Sequence, residues 1–224
     1  MTPQTEQAPL ATGPKRNSLG LRLWHWANTA VVSGLLLTIL FLFVIVQMKT
    51  VGSEFQKVLA AEGVTFSREQ VRGLTRIVSH RIWDWHIGLG VALTVLLVLR
   101  IVVEVVQKGG QRFGVKLAVA RRVFQQRGPE LQDSRHSLLV KYSYLAFYLM
   151  LVVMVVTGLV LLYADDVEVL HRIEHTTEEV HNITMYLVLA FTAGHLAGVV
   201  YAELTKNRGI VSDMIHGGSP AEQA

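Results

Sequence analysis

The stretch HNITMYLVLAFTAGH at 181–195 has a histidine at each end of a nearly unbroken apolar run. Imidazole has little to do in contact with lipid; its chemistry is proton transfer and metal ligation. Fourteen helical residues rise about 21 Å and turn through nearly four whole revolutions. His181 and His195 therefore share one helix face at different depths. They cannot ligate one ion, but they can serve two centres stacked along the helix. Two more histidines stand near the starts of apolar runs, His25 in RLWHWAN and His86 in HRIWDWHIGLG.

The elements that must position these residues are membrane helices. The 224-residue chain is 51% hydrophobic, with a mean hydropathy of +0.38, and its apolar residues are grouped. Helices are expected at about 19–48, 82–107, 136–163 and 178–204. Each can cross a hydrocarbon core, which takes ~20 helical residues. The runs lack the period-two alternation of a membrane barrel. LLLTILFLFVIV at 35–46 has no polar face, which excludes a soluble amphipathic bundle. Residues 1–18 read as a disordered tail, not a signal peptide, because no apolar core precedes a cleavage site. Residues 19–206 form the bundle and 207–224 a C-terminal tail. The chain has no cysteine, which excludes covalently attached c-type haem, iron–sulfur ligation and thiolate metal sites within it. It has no Gly-rich phosphate loop, and neither a nucleotide substrate nor a nucleic-acid partner is expected.

Positive residues mark cytoplasmic loops. Lys15, Arg16 and Arg22 precede or open the first helix, and the second connection carries Lys108, Arg112, Lys116, Arg121, Arg122, Arg127, Arg135 and Lys141. The third connection is acidic, with Asp165, Asp166, Glu168, Glu174, Glu178 and Glu179 against Arg172. Both termini and the second connection are thus expected inside. The first connection, 49–81, is mixed, with six basic and three acidic residues; long loops weigh less in this rule. GVKLAVARRVFQQR at 114–127 reads either as a basic amphipathic helix on the inner membrane surface or as a solvated cytoplasmic helix.

This topology pairs the histidines. His25 lies near the inner end of helix one and His195 near the inner end of helix four. His86 and His181 both lie near outer ends. Each level therefore has two imidazoles from two different helices. Haem b accepts histidines on both faces of its iron, and its apolar macrocycle suits a bundle interior. Zinc wants about four ligands, which neither level offers. The expected fold is an all-α bundle of four transmembrane helices enclosing two b-type haems.

Neighbouring residues carry two readings each. Arg22, one turn before His25, and Arg100, fourteen residues after His86, are candidate partners of haem propionates; Arg100 can instead snorkel from the helix end. Gly88, Gly90, Gly194 and Gly198 can admit a macrocycle or serve ordinary helix packing. His136, opening helix three, can touch an inner propionate or a quinone, or rest at the interface. His80 reads as outside its helix, and His171 and His175 as a solvated loop segment, although HxxxH can hold a metal. His216 lies in the tail. Trp24, Trp26, Trp83 and Trp85 suit interfacial belts.

As a set these segments resemble a known family. RLWHWAN at 22–28, WHIGLG at 85–90, HNITMYLVLAFTAGHLAGVVYAE at 181–203 and NRGIVSDMIHGG at 207–218 are similar to segments of bacterial membrane cytochromes b561, including the b-type subunits of nickel–iron hydrogenases. The resemblance spans roughly residues 19–218. It implies a four-helix dihaem core with His25, His86, His181 and His195 at the haem-bearing positions, and electron exchange with a membrane quinone. It also matches His136 to a recurrent histidine at the start of helix three. The chain departs from the hydrogenase branch at RHSLLVKYS, which replaces an HNPLA-like pattern, and in its long first outer connection.

The function expected is that of an electron-transfer subunit in the bacterial inner membrane. It would link an extracytoplasmic iron–sulfur or haem partner to the quinone pool, as the anchor of a respiratory oxidoreductase such as a hydrogenase, and oligomers are compatible with that role. The alternative is a stand-alone quinone-linked cytochrome acting on a diffusible substrate such as superoxide. A metal or solute transporter ranks last, because helices one and three have almost no polar residues at mid-membrane.

Overall fold

A computed structural model describes residues 18–46, 51–64, 67–106, 113–127, 132–205 and 209–218. The first helix, α1 (Leu19–Leu40), opens on Ser18, whose hydroxyl accepts the Leu21 N–H at 3.3 Å. This N-cap satisfies one of the donors a helix start leaves open. α1 runs on into a π-helical turn, Phe41–Ile45, closed by the Val46 N–H on the Phe41 carbonyl at 2.8 Å. There follow α2 (Ser53–Ala61), α3 (Arg68–Val106), α4 (Phe113–Arg127), α5 (Gln132–Leu162), α6 (Glu168–Thr205) and α7 (Ile210–His216).

Four segments are long and apolar enough to cross a membrane: Leu19–Ile45, Arg68–Val106, Leu138–Leu162 and Glu168–Thr205. They coincide with the four expected runs, but two start earlier. α3 begins at Arg68, not near 82, and α6 at Glu168, not near 178. With 39 and 38 residues, each is about 57 Å long, nearly twice the ~30 Å hydrocarbon thickness. Hydropathy locates only the lipid-crossing part, whereas helix starts obey local caps. At α3 the cap is reciprocal: the Ser67 hydroxyl accepts the Gln70 N–H at 3.2 Å, and the Gln70 side-chain oxygen accepts the Ser67 N–H at 2.8 Å. That capping box is written in the sequence as SREQ at 67–70.

The earlier starts correct three expectations. His80 lies inside α3 rather than outside a helix, and His171 and His175 lie on α6 rather than in a loop. His171 meets Glu174 at 2.9 Å and His175 meets Glu179 at 3.7 Å, both exposed. The C-terminal tail includes the helix α7. Residues 1–17, 207–208 and 219–224 of the expected tails lie outside the described residues. In α4, at about 100° per residue, Val115 and Val119 fall on one side and Leu117 and Phe124 on the other, so its apolar residues do not form a single face.

The chain divides into two compact units: Ala27–Phe191, and Met1–Trp26 together with Thr192–Ala224. The larger unit holds a core to which α1, α3, α5 and α6 each contribute: Val32, Leu93, Leu97, Leu151 and Val188, with Phe147, Met150 and Met154 packed against it. Phe147 and Phe191 stack at 4.8 Å, nearly parallel. Outward-facing Leu37, Phe43, Val95, Leu149 and Leu189 are exposed; a soluble protein would hide so much apolar surface, whereas lipid covers it. Five buried threonines (Thr38, Thr75, Thr157, Thr177 and Thr184) donate their hydroxyl protons to carbonyls three or four residues back at 2.6–3.0 Å.

In lipid, packing rather than water exclusion holds helices together. Leu151 is 1% exposed, whereas Leu139 on the same helix is 69% exposed. We expect Leu151→Ala to cost on the order of 2 kcal/mol through the cavity it leaves, and Leu139→Ala to cost little. Thermal unfolding in detergent measures both.

Candidate functional site

The four sequence-selected histidines divide evenly between the units. His86 on α3 and His181 on α6 belong to the larger unit, and are near enough to interact electrostatically. His25 on α1 and His195 on α6 belong to the smaller one. Each pair thus draws its imidazoles from two different helices.

In the larger unit both imidazoles are held at Nδ1. His86 Nδ1 lies 2.8 Å from the Thr38 hydroxyl, and His181 Nδ1 lies 2.7 Å from the Thr157 hydroxyl. Trp83 meets the His86 ring edge-to-face at 5.4 Å. Gly158 follows Thr157 and brings the α5 backbone up to His181: a Cβ at that position would touch the ring's Cε1 at 3.5 Å. Ligating histidines fix their orientation through the nitrogen that does not touch the metal. With Nδ1 engaged on both rings, Nε2 is the nitrogen left to bind iron, and the donor set fits a bis-histidine haem.

In the smaller unit the rings of His25 and His195 stand 6.3 Å apart, centre to centre, at 77°. Two imidazoles sharing one metal ion through bonds of about 2 Å have ring centres about 6 Å apart. The spacing therefore also suits an axial pair. Arg22 and Trp26 flank His25 on the same helix. The Trp26 indole N–H donates to the Met214 carbonyl at 3.2 Å, and Arg22 Nη1 donates to the Ile215 carbonyl. These are last-turn carbonyls of α7, which lack partners within their own helix. At the other end of α7 the Glu203 carboxylate accepts the Gly209 and Val211 N–H groups at 2.8 and 3.2 Å. Gly209 sits at φ +95°, where a side chain would be strained. Arg22 Nε is buried and meets no acceptor among the described residues. A buried donor left open costs about 1–3 kcal/mol, and an anionic carboxylate such as a haem propionate would answer it.

Arg100 has protein partners. Its Nε donates to the Tyr148 hydroxyl at 3.1 Å, its Nη1 lies 3.3 Å from the Glu104 carboxylate, and its guanidinium sits 5.7 Å over the Tyr148 ring. The pair is four residues apart on one helix, a spacing legible in the sequence. His136 is in α5, but its side chain lies outside the described residues. Residues the sequence reading missed are Thr38 and Thr157. A lone threonine in an apolar helix carries no signal, since nearly all such hydroxyls simply bond back to their own helix. Among the described residues no cluster of three or more His, Cys, Asp or Glu could hold a metal ion.

Paired histidines from different helices of an apolar four-span bundle are the ligand arrangement of a membrane cytochrome b. Residues 16–217 match the family model of prokaryotic cytochrome b561, and the chain belongs to that family. No curated protein and no solved structure matches it. Membership makes the chain a multi-pass bacterial membrane protein that carries b-type haem and transfers electrons.

The anchoring of α7 can be tested directly. Seven residues are too few to hold a helix unaided. We expect Arg22→Ala combined with Trp26→Phe to speed amide hydrogen exchange across Met214–Gly217 by about tenfold or more, the equivalent of one or two lost hydrogen bonds. The amides of α3 should be unaffected.

Proposed function

We propose that this cytochrome carries two haems b, one ligated by His86 and His181 and the other by His25 and His195. In this reading it moves electrons between an extracytoplasmic redox partner and the quinone pool of the bacterial inner membrane, as the anchor subunit of a respiratory oxidoreductase such as a hydrogenase. The observation that carries the reading is the presence of two separate histidine pairs, one with ring centres 6.3 Å apart and the other held at both Nδ1 atoms. Haem b, when bound, supplies reversible one-electron chemistry at iron in a water-poor setting.

The chain's own residues do the rest. His86 and His181 present Nε2 from α3 and α6, while Thr38 and Thr157 hold the far side of each ring. The apolar core keeps water from the larger unit's interior. Arg22 offers its open Nε to a propionate. Arg100 and His136 are weaker candidates for the same role, Arg100 because Glu104 and Tyr148 already engage it. Support for the orientation comes from charge: the basic second connection and the Lys15, Arg16 and Arg22 cluster favour a cytoplasmic side for both termini. The N-terminal halves of α3 and α6 extend past the apolar spans. That of α6 carries Glu168, Glu174, Glu178 and Glu179, a polar surface available to a redox partner.

The purified protein should show a low-spin b-type spectrum with two haems per chain. His195→Ala and His86→Ala should each leave one. A colourless, folded wild type would overturn the reading. Affinity purification from native membranes should bring down an iron–sulfur or haem subunit. Isolation alone, with turnover of a diffusible oxidant such as superoxide, would favour a stand-alone quinone-linked enzyme instead.

A further inference from the structure

Five buried threonines return their hydroxyl protons to their own helices, but two of them also meet an imidazole. The Thr38 hydroxyl donates to the Leu35 carbonyl at 2.7 Å, and the Thr157 hydroxyl donates to the Val153 carbonyl at 2.6 Å. A hydroxyl has one proton and two lone pairs. With the proton spent on a carbonyl, only a lone pair faces His86 Nδ1 at 2.8 Å and His181 Nδ1 at 2.7 Å. A lone pair cannot bond to another lone pair. In that arrangement both imidazoles carry their proton at Nδ1, and a neutral ring protonated there has its lone pair on Nε2. An imidazole that gives Nε2 to iron has only Nδ1 left for its proton, and each hydroxyl, already donating to a carbonyl of its own helix, is placed to accept it.

We propose that Thr38 and Thr157 are positioning residues for the haem held by His86 and His181. They set the tautomer of each axial ligand, fix its ring rotation and hold its basicity at that of a neutral imidazole. This inference rests on the haem reading given above. The two threonines come from α1 and α5, the two spans that give this pair no ligand, so all four spans take part in one site. The chemistry of the acceptor matters. A carboxylate on Nδ1–H would draw the proton, make the ligand a stronger donor and favour ferric iron. A hydroxyl already committed to a backbone carbonyl is a neutral acceptor and draws the proton less. It still supports the ligand more than no acceptor at all.

The test uses the full-length protein in detergent, with Thr38→Val and Thr157→Val, which keep the side-chain shape, and Thr38→Ser and Thr157→Ser, which keep the hydroxyl. Redox titration of the haem absorbance and electron paramagnetic resonance of the ferric state are the readouts. Each valine variant should move the midpoint potential of one haem upward, raising its ferrous-to-ferric ratio at the wild-type midpoint about 3-fold to 10-fold. It should also weaken retention of that haem by about 10-fold and alter its ferric resonance. The other haem should not change. Each serine variant should restore wild-type behaviour. Valine variants that keep both haems with unmoved potentials and resonances would overturn the proposal, as would serine variants that shift as far as valine. A wild type without haem would instead overturn the haem reading, and the two failures are distinct because only that one appears in the unsubstituted protein.

Discussion

An imidazole in a membrane-spanning helix needs partners at its ring nitrogens, because lipid offers none. The larger unit meets that constraint from two directions. Nδ1 of His86 and of His181 is bonded to a threonine hydroxyl, and Nε2 is the nitrogen that iron would take in the proposed reading. The hydroxyls can play this part because the helices carrying them already take up the hydroxyl proton. Backbone carbonyl, hydroxyl and imidazole thus form a hydrogen-bonded chain in which the hydroxyl donates to the carbonyl and can accept from Nδ1. The packing of Val32, Leu93, Leu97, Leu151 and Val188 joins the four helices that carry these groups.

Much of this was legible in the residues and some was not. The four spans could be read because hydrocarbon thickness demands about 20 apolar residues each, and no local preference competes with that demand. The pairing of His25 with His195 and of His86 with His181 followed from helix rise and loop charge, both nearly independent of packing detail. The ends of α3 and α6 were missed because solvated helix carries no hydropathy signal, although SREQ at 67–70 announced one start. Thr38 and Thr157 could not have been selected. Each lies tens of residues from the histidine it holds, and Thr75, Thr177 and Thr184, which look the same in sequence, also bond back to their own helices.

Arg100 shows how a reading from residue type can be right about cost and incomplete about the remedy. A guanidinium in a membrane span needs an acceptor, and a propionate was the partner expected. The chain supplies Glu104 one turn away and the Tyr148 hydroxyl from α5. The charge of Arg100 is thus met within the protein. Arg22 differs in that its Nε meets no acceptor among the described residues although its Nη1 is engaged.

The smaller unit reaches order by other means. α7 has seven residues, and a helix that short has no stability of its own. Its two ends are held by side chains from elsewhere in the same unit: Glu203 at the start, Arg22 and Trp26 at the finish. Arg22 and Trp26 are also the residues one turn before and one position after His25. The turn that carries His25 is therefore the turn that holds α7. Displacing α7 would break two long-range hydrogen bonds that start from the α1 turn holding His25, so the last short helix and the turn of His25 are tied by the same two side chains.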